Sequence, residues 1–381
     1  MPPIRVMPVA GARPNFMKIA PLMHALQARG ETFETHLVHT GQHYDEAMSE
    51  AFFKTLSIPD PDENLGIGSG THGEQVGRTM IEFEKVLERW PPHWVVLVGD
   101  VNATCACSIT ARKLGIRVAH VEAGLRSFDL SMPEEINRMV TDRLSDLLFT
   151  TDALADRNLA AEGVPAERIH RVGNVMIDSL ETHRTEAARL DLDDVIRASL
   201  LDATSTGPFE DRTYAALTLH RPSNVDSRDV LRALTAYLVD EFSRELPIVW
   251  PIHPRTRARL EQFDLWNTVM QSQRVHLTAP LDYHAMLRLT MGAKLMLTDS
   301  GGLQEECCVL GVPCVTLREN TERPITLVEH GGASLLAGNS VERIRGACRQ
   351  LLASPPAASR PPLWDGHAAQ RIADVLTGYQ T

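Results

Sequence analysis

Long apolar runs are missing from this 381-residue chain, and with them any candidate membrane span. The opening MPPIRVMPVAGARP runs straight into a strand pattern and lacks the layout of a secretory leader, so a cytoplasmic protein is expected. Cysteine is sparse. Cys105, Cys107, Cys307, Cys308, Cys314 and Cys348 form no CxxC pair and no zinc spacing, which points to reduced core thiols and to no metal centre. Positive charge is also short, and a net charge of −11 disfavours non-specific binding to nucleic acid or to an anionic membrane. An anionic ligand would have to be held by local arginines, lysines and backbone amides. The motifs GxGxxG, the Walker lysine loop, HExxH and GxSxG are all absent. Their absence argues against dinucleotide enzymes, ATPases, zinc proteases and serine hydrolases.

What is present is a repeated alternation of short β-branched runs with amphipathic stretches. IRVMPVA precedes NFMKIAPLMHALQARG, HWVVLVGD precedes TCACSITARKLG, and IRVAHVEAG precedes EEINRMVTDRLSD. Strands apolar along their whole length must be covered on both faces, so the expectation is α/β with mainly parallel, doubly wound sheets. The length favours two domains. A polar stretch, SLETHRTEAARLDLDDVIRASLLDATSTGPFEDR, separates two such series. The expected division is residues 1–180, residues 205–360, and a final helix within 361–381 that packs back on the first domain.

The densest segment is TDSGGLQEE, Thr298 to Glu306. An apolar strand runs into Ser300, Gly301 and Gly302, which leave the first amides of the next helix open to a phosphate. Glu306, one turn on, would repel a phosphate but accept from the hydroxyls of a ribose. An ordinary strand–turn–helix junction is the alternative.

Ligands of open parallel sheets sit beyond the carboxyl ends of the strands. Those positions hold Arg13 and Lys18, Gln42 and His43, Asp100, Glu122 and Arg126, and Glu134, Glu135, Asn137 and Arg138 in the first half. In the second half they hold His220 and Arg221, His253 and Arg255, Ser300 to Glu306, and Arg318 with Arg323. Asp100 and Glu134 are each either helix caps or catalytic carboxylates, and His220 is either a phosphate donor or base, or a structural histidine. Crowded carboxylates raise one another's pKa values, so Asp100, Glu122 and Glu134 together are able to supply both an acid and a base.

Read in order, GARPNFMKIAPL, TGQHYDEAM, GDVNAT, HVEAGLRS, PEEINR, TLHRPSN, PIHPR, TDSGGLQEE and TERP resemble the UDP-N-acetylglucosamine 2-epimerase family from about residue 4 to about residue 350. The resemblance implies a GT-B architecture, two Rossmann-like domains facing across a cleft, and a homodimer. It implies that the catalytic residues are Asp100, Glu122, Glu134 and His220. The UDP-sugar would be bound by Arg13, Lys18, Arg138, His253, Ser300, Gly301, Gly302, Glu306 and Arg323, with no cofactor. The implied reaction is elimination of UDP with loss of the proton at carbon 2, giving 2-acetamidoglucal, then re-addition of UDP with the proton delivered to the other face. Departures stand at GDVNAT, where GDTTT is frequent, and HRPSN, where HRREN is frequent. HYDEAM after TGQ lies near the region that binds a second nucleotide sugar in allosteric members, so allostery is not carried over. The stretch from TGQHYDEAM to THGEQ also resembles members that act on UDP-2,3-diacetamido-2,3-dideoxy-glucuronic acid. That substrate and a hydrolysing epimerase releasing N-acetylmannosamine and UDP are the alternatives.

Overall fold

The computed structural model describes residues 2–11, 13–41, 58–201, 208–357 and 360–379; of Arg13 and Pro14 it describes the backbone alone. The chain forms two compact units, Met1–Ser179 with Pro362–Thr381, and Leu180–Pro361.

In the first unit the strands are β1 (Ile4–Ala10), β2 (Phe33–Thr35), β3 (Val38–His39), β4 (Glu63–Asn64), β5 (Trp94–Val98), β6 (Arg117–Ala123), β7 (Leu147–Thr150) and β8 (Ile169–Arg171). They pair in parallel in the order β4-β3-β1-β5-β6-β7-β8, with β2 beside the start of β1. β5 shows why: WVVLV is buried at every residue, as a strand covered on both faces must be. Its alternate residues Val95 and Leu97 join Met7, Val9 and Val118 beneath Phe83, Val86 and Leu87 of the helix His72–Arg89. That helix opens on a reciprocal capping box between Thr71 and Glu74, which satisfies two amides the first turn would leave open. The helix Pro133–Leu144 opens instead on a proline, whose fixed φ suits the first helical position.

The second unit holds β9 (Ala215–Thr218), β10 (Ile248–Pro251), β11 (Val275–Thr278), β12 (Leu295–Thr298), β13 (Cys314–Thr316) and β14 (Ser334–Leu336). All run parallel, in the order β11-β10-β9-β12-β13-β14. Period-two alternation divides the strand residues between two cores: Ala215, Leu217, Ile248, Trp250, Leu295 and Leu297 on one face, Ala216, Val249, Met296 and Cys314 on the other. This is the strand order of nucleotide-binding Rossmann sheets, reversing direction between β9 and β12. The first sheet reverses likewise between β1 and β5. Two doubly wound parallel sheets in one chain make this a GT-B type protein, as the sequence led us to expect.

The helix Ala368–Gly378 lies on the helix Arg13–Gln27 of the first unit. Asp178, on the helix Val175–Arg189, accepts hydrogen bonds from the first amides of that final helix, Ala368 at 3.0 Å and Ala369 at 2.7 Å. Burial nonetheless pushes its carboxyl up to about 6. Trp364, fully buried, donates its indole N–H to the Thr151 carbonyl at 3.0 Å. Among the described residues, no helix is long and apolar enough to cross a membrane.

Candidate active site

In the first unit the sequence-selected residues gather at the carboxyl ends of β5 and β6. Glu122 sits where the pairing of β6 with β7 shifts register between Val121 and Ala123, and its φ is +70°. A bulge at a strand end re-aims a side chain, and a non-glycine residue held at positive φ costs on the order of 1–3 kcal/mol. The buried Glu122 carboxylate takes an ion pair from Lys18 Nζ at 2.6 Å. Gly99 borders this pair. Its φ is +71°, and a Cβ there would stand 3.4 Å from Lys18 Nζ and 3.9 Å from Glu122 Oε2. Asn15 donates to the Val98 carbonyl at 2.5 Å and so fixes the helix that carries Lys18 to the end of β5.

Asp100 is held by the buried Arg138, which donates from Nε and Nη2 to the same carboxylate oxygen at 3.0 and 2.7 Å. Arg138 also pairs with Glu135. The Glu135 carboxylate accepts from the backbone amides of Ser127 and Phe128, closing the loop after HVEAGLR over the helix Pro133–Leu144. Asn137 donates to the Asp100 carbonyl at 2.9 Å. Of the two adjacent glutamates, Glu135 is buried in this network and Glu134 is exposed. The structure therefore brings Lys18, Asp100, Glu122 and Arg138 to neighbouring strand ends and leaves Glu134 facing solvent. The Arg13 side chain, Gln42 and His43 lie outside the described residues.

Beneath these groups lies a polar network that was not foreseen. His120, fully buried on β6, places Nδ1 2.6 Å from Asp142 Oδ1 and Nε2 2.9 Å from the Gly99 carbonyl. Its two ring nitrogens thus each face an oxygen, one of a carboxylate and one of a backbone carbonyl. Asp142 also takes an ion pair from Arg126 at 2.7 Å and a hydrogen bond from the Gly124 amide at 3.1 Å. Although burial opposes its charge, His120 and Arg126 hold the Asp142 carboxyl below the ordinary range. The network locks the two backbone turns that present Gly99 and Glu122.

In the second unit the reversal between β9 and β12 brings His220 against Asp299. Asp299 is fully buried and accepts from the amides of His220 and Arg221, from Asn224 Nδ2 at 3.0 Å and from His220 Nδ1 at 2.8 Å. Burial works against its charge, but these partners, His220 foremost, hold its carboxyl below the ordinary value. With Nδ1 engaged by Asp299, Nε2 is the nitrogen His220 has for a ligand. His253 lies beside it, ring centroids 5.4 Å apart, and caps the helix Pro254–Gln262 by accepting from the Arg255 amide.

Ser300 is the N-cap of the helix Gly301–Leu310, so the amides of Gly301 and Gly302 stand at the helix opening. Gly301 is closely approached: a Cβ there would lie 3.1 Å from both Arg323 Nη1 and Glu322 Oε1, so those side chains would have to give by a few tenths of an ångström. Arg323 is buried, pairing with Glu305 at 2.6 Å and with Glu322, while Arg318 pairs with Glu322 at 2.6 Å. Glu306 is buried one turn into the helix and accepts from the Tyr283 phenol at 3.3 Å. Burial pushes its carboxyl up to about 7, the Tyr283 hydrogen bond opposing and Glu305 adding to the rise. Ser300, Gly301, Gly302, Glu306 and Arg323 are thus one cluster at the end of β12. Sequence reading passed over Asp299 and Tyr283. Asp299 sits inside TDSGG and could have been found by its place before the N-cap, whereas Tyr283 carries no local signal.

The whole chain has relatives. A family model described as UDP-N-acetylglucosamine 2-epimerase matches residues 24–377. The UDP-N-acetylglucosamine 2-epimerase of Methanocaldococcus jannaschii is 40% identical over 370 residues, covering 97% of this chain and 98% of that protein. The UDP-2,3-diacetamido-2,3-dideoxy-D-glucuronate 2-epimerase of Pseudomonas aeruginosa is 37% identical over 375 residues, covering 98% of this chain and 99% of that one. Among solved structures, the M. jannaschii enzyme in complex with UDP-GlcNAc and UDP superposes with a TM-score of 0.87 at 39% identity, covering 98% of this chain and all of that one. The Neisseria meningitidis enzyme bound to UDP-GlcNAc gives 0.85 at 26% identity, with 98% and 100% covered. With its strand orders, its carboxylate group and its glycine-opened helix all accompanied by full-length similarity, the chain belongs to the UDP-N-acetylglucosamine 2-epimerase family.

Proposed function

We propose that this nucleotide-sugar 2-epimerase interconverts UDP-N-acetylglucosamine and UDP-N-acetylmannosamine. The observation that carries the reading is Glu122, a carboxylate held at positive φ on a strand-end bulge and paired with Lys18. Such strain is kept where a group must be aimed.

The second unit suits the nucleotide. The amides of Gly301 and Gly302 with Arg323 offer donors to a diphosphate, and Glu306 offers an acceptor to a ribose diol. His220, oriented through Nδ1 by Asp299, offers Nε2 to the phosphate or the leaving oxygen. Chemistry starts as the anomeric C–O bond breaks, its electron pair leaving with UDP, and positive charge grows on the ring. That charge acidifies the proton on carbon 2, which passes to a carboxylate as the C1–C2 double bond of 2-acetamidoglucal forms. In return, a UDP oxygen attacks carbon 1 and a proton is delivered to carbon 2 from the opposite face. Opposite faces call for two different carriers, the role given to Glu122 and Glu134, while Asp100, aligned by Arg138, stabilises the cationic ring. Electrons balance without any redox partner. UDP-sugars are cytoplasmic metabolites, and the proposal includes a cytoplasmic homodimer, checked by sedimentation of the purified protein.

Proton NMR with UDP-N-acetylglucosamine in deuterated water tests the reading. Deuterium entering carbon 2 together with a UDP-N-acetylmannosamine signal is the expected result. Free N-acetylmannosamine with UDP would make it a hydrolysing enzyme. No change would favour the diacetamido uronate, the substrate that the 37% identical Pseudomonas aeruginosa relative brings forward as the second reading.

A further inference from the structure

The helix Val175–Arg189 begins in the first unit and ends in the second, which starts at Leu180. In its second-unit part His183 and Glu186 stand three residues apart, the spacing that puts two side chains on one helix face. His284, from the first turn of the helix Tyr283–Gly292, meets them. His183 Nδ1 lies 3.0 Å from His284 Nε2, and the same Nε2 lies 3.3 Å from Glu186 Oε2. All three atoms fall within 4.8 Å of one another.

We propose that His183, Glu186 and His284 form a binding site for a zinc-class divalent transition-metal ion that ties these two helices of the second unit together. Two imidazole nitrogens and a carboxylate oxygen are all Lewis bases. A single N–H at their meeting point serves one or two of the contacts, whereas a dication serves all three. With ligand atoms about 2.1 Å from a common ion, the 3.0 and 3.3 Å separations that His284 makes with His183 and Glu186 would each subtend roughly 90–105°, within the range of tetrahedral and octahedral sites. The rings are tilted by 70° with centroids 4.9 Å apart, an edge-on arrangement rather than a stack. Two imidazoles with one carboxylate favour Zn, Ni, Co or Cu over Mg or Ca. Three protein ligands leave at least one position to water.

The surroundings give the site a consequence. The Tyr283 ring stands edge-on to His183, centroids 5.6 Å apart, and its phenol donates to Glu306. An ion would anchor the turn that carries Tyr283.

The test is titration of chelator-treated full-length protein with zinc chloride in competition with a chromophoric chelator, beside thermal melts with and without the ion. The variants are Glu186→Gln and His183→Asn. The Glu186 side chain is 67% exposed, so its replacement leaves the fold intact, as circular dichroism and zinc-free turnover should confirm. One tight equivalent in the parent, weakened about tenfold or more in either variant, with a zinc-dependent rise in Tm lost in both, is the expected result. Equal affinity and stoichiometry in parent and variants, or no tight equivalent in the parent, would overturn the proposal.

Discussion

Asp299 receives both the backbone amide and the ring Nδ1 of His220, so one buried carboxylate sets the position and the tautomer of the histidine. The contact arises because β9 and β12 are neighbours in the sheet although 76 residues separate Thr218 from Leu295. Replacing Asp299 with Asn should lower kcat by about 100-fold while changing KM little, because the ring loses its anchor and the ligand-binding groups remain. Steady-state kinetics beside circular dichroism checks this. A loss confined to KM would show that Asp299 does not act through His220.

Glu122→Gln keeps the size of the side chain and a hydrogen bond to Lys18 but removes the carboxylate. Turnover should fall at least about 1,000-fold with UDP affinity preserved, measured by calorimetry. Normal turnover at saturation would remove Glu122 from the chemistry.

Gly99→Ala tests the left-handed turn beside the same pair. Alanine at φ +71° is strained, and its methyl group would meet Lys18 Nζ. The variant should lose about 1–2 kcal/mol of stability in denaturant unfolding and turn over at least about tenfold more slowly. Parental values for both would mean the turn relaxes freely.

Glu306 supplies the pH dependence. Its carboxyl, pushed up to about 7 from an ordinary 4.5, is ionised increasingly as pH rises through neutrality. A ribose diol donates to the ionised form. Affinity for UDP-N-acetylglucosamine, measured on the Glu122→Gln protein, should therefore rise about tenfold between pH 6 and 8. Adding Glu306→Gln should flatten that dependence. The stability of the ligand-free protein moves the other way: a raised folded pKa contributes stability that is complete below 4.5 and lost as pH climbs through about 7. Melting curves at several pH values check this sign.

Strand identity and the parallel, doubly wound class were open to reading because buried strands such as WVVLV are apolar at every position, whereas the order of the strands was not. The glycine-opened helix at Ser300 was equally visible, since its turn chemistry is local. Glu122 was found, but not its bulge, because its positive φ depends on how β6 meets β7 and is not written in neighbouring residues. Glu135 and Arg138 lie three apart and Asp142 four further on, one buried stripe of the helix Pro133–Leu144. That periodicity separates Glu135, which builds the scaffold, from the exposed Glu134. His120, Tyr283 and the His183–Glu186–His284 cluster depend on distant contacts, which local spacing does not encode.

The final helix rests on the helix Arg13–Gln27, its first amides held by Asp178. The second unit is thus a continuous excursion, Leu180–Pro361, between two parts of the first. During synthesis this inverts the usual order: the amino-terminal unit acquires its covering helix last, after the entire second unit has left the ribosome.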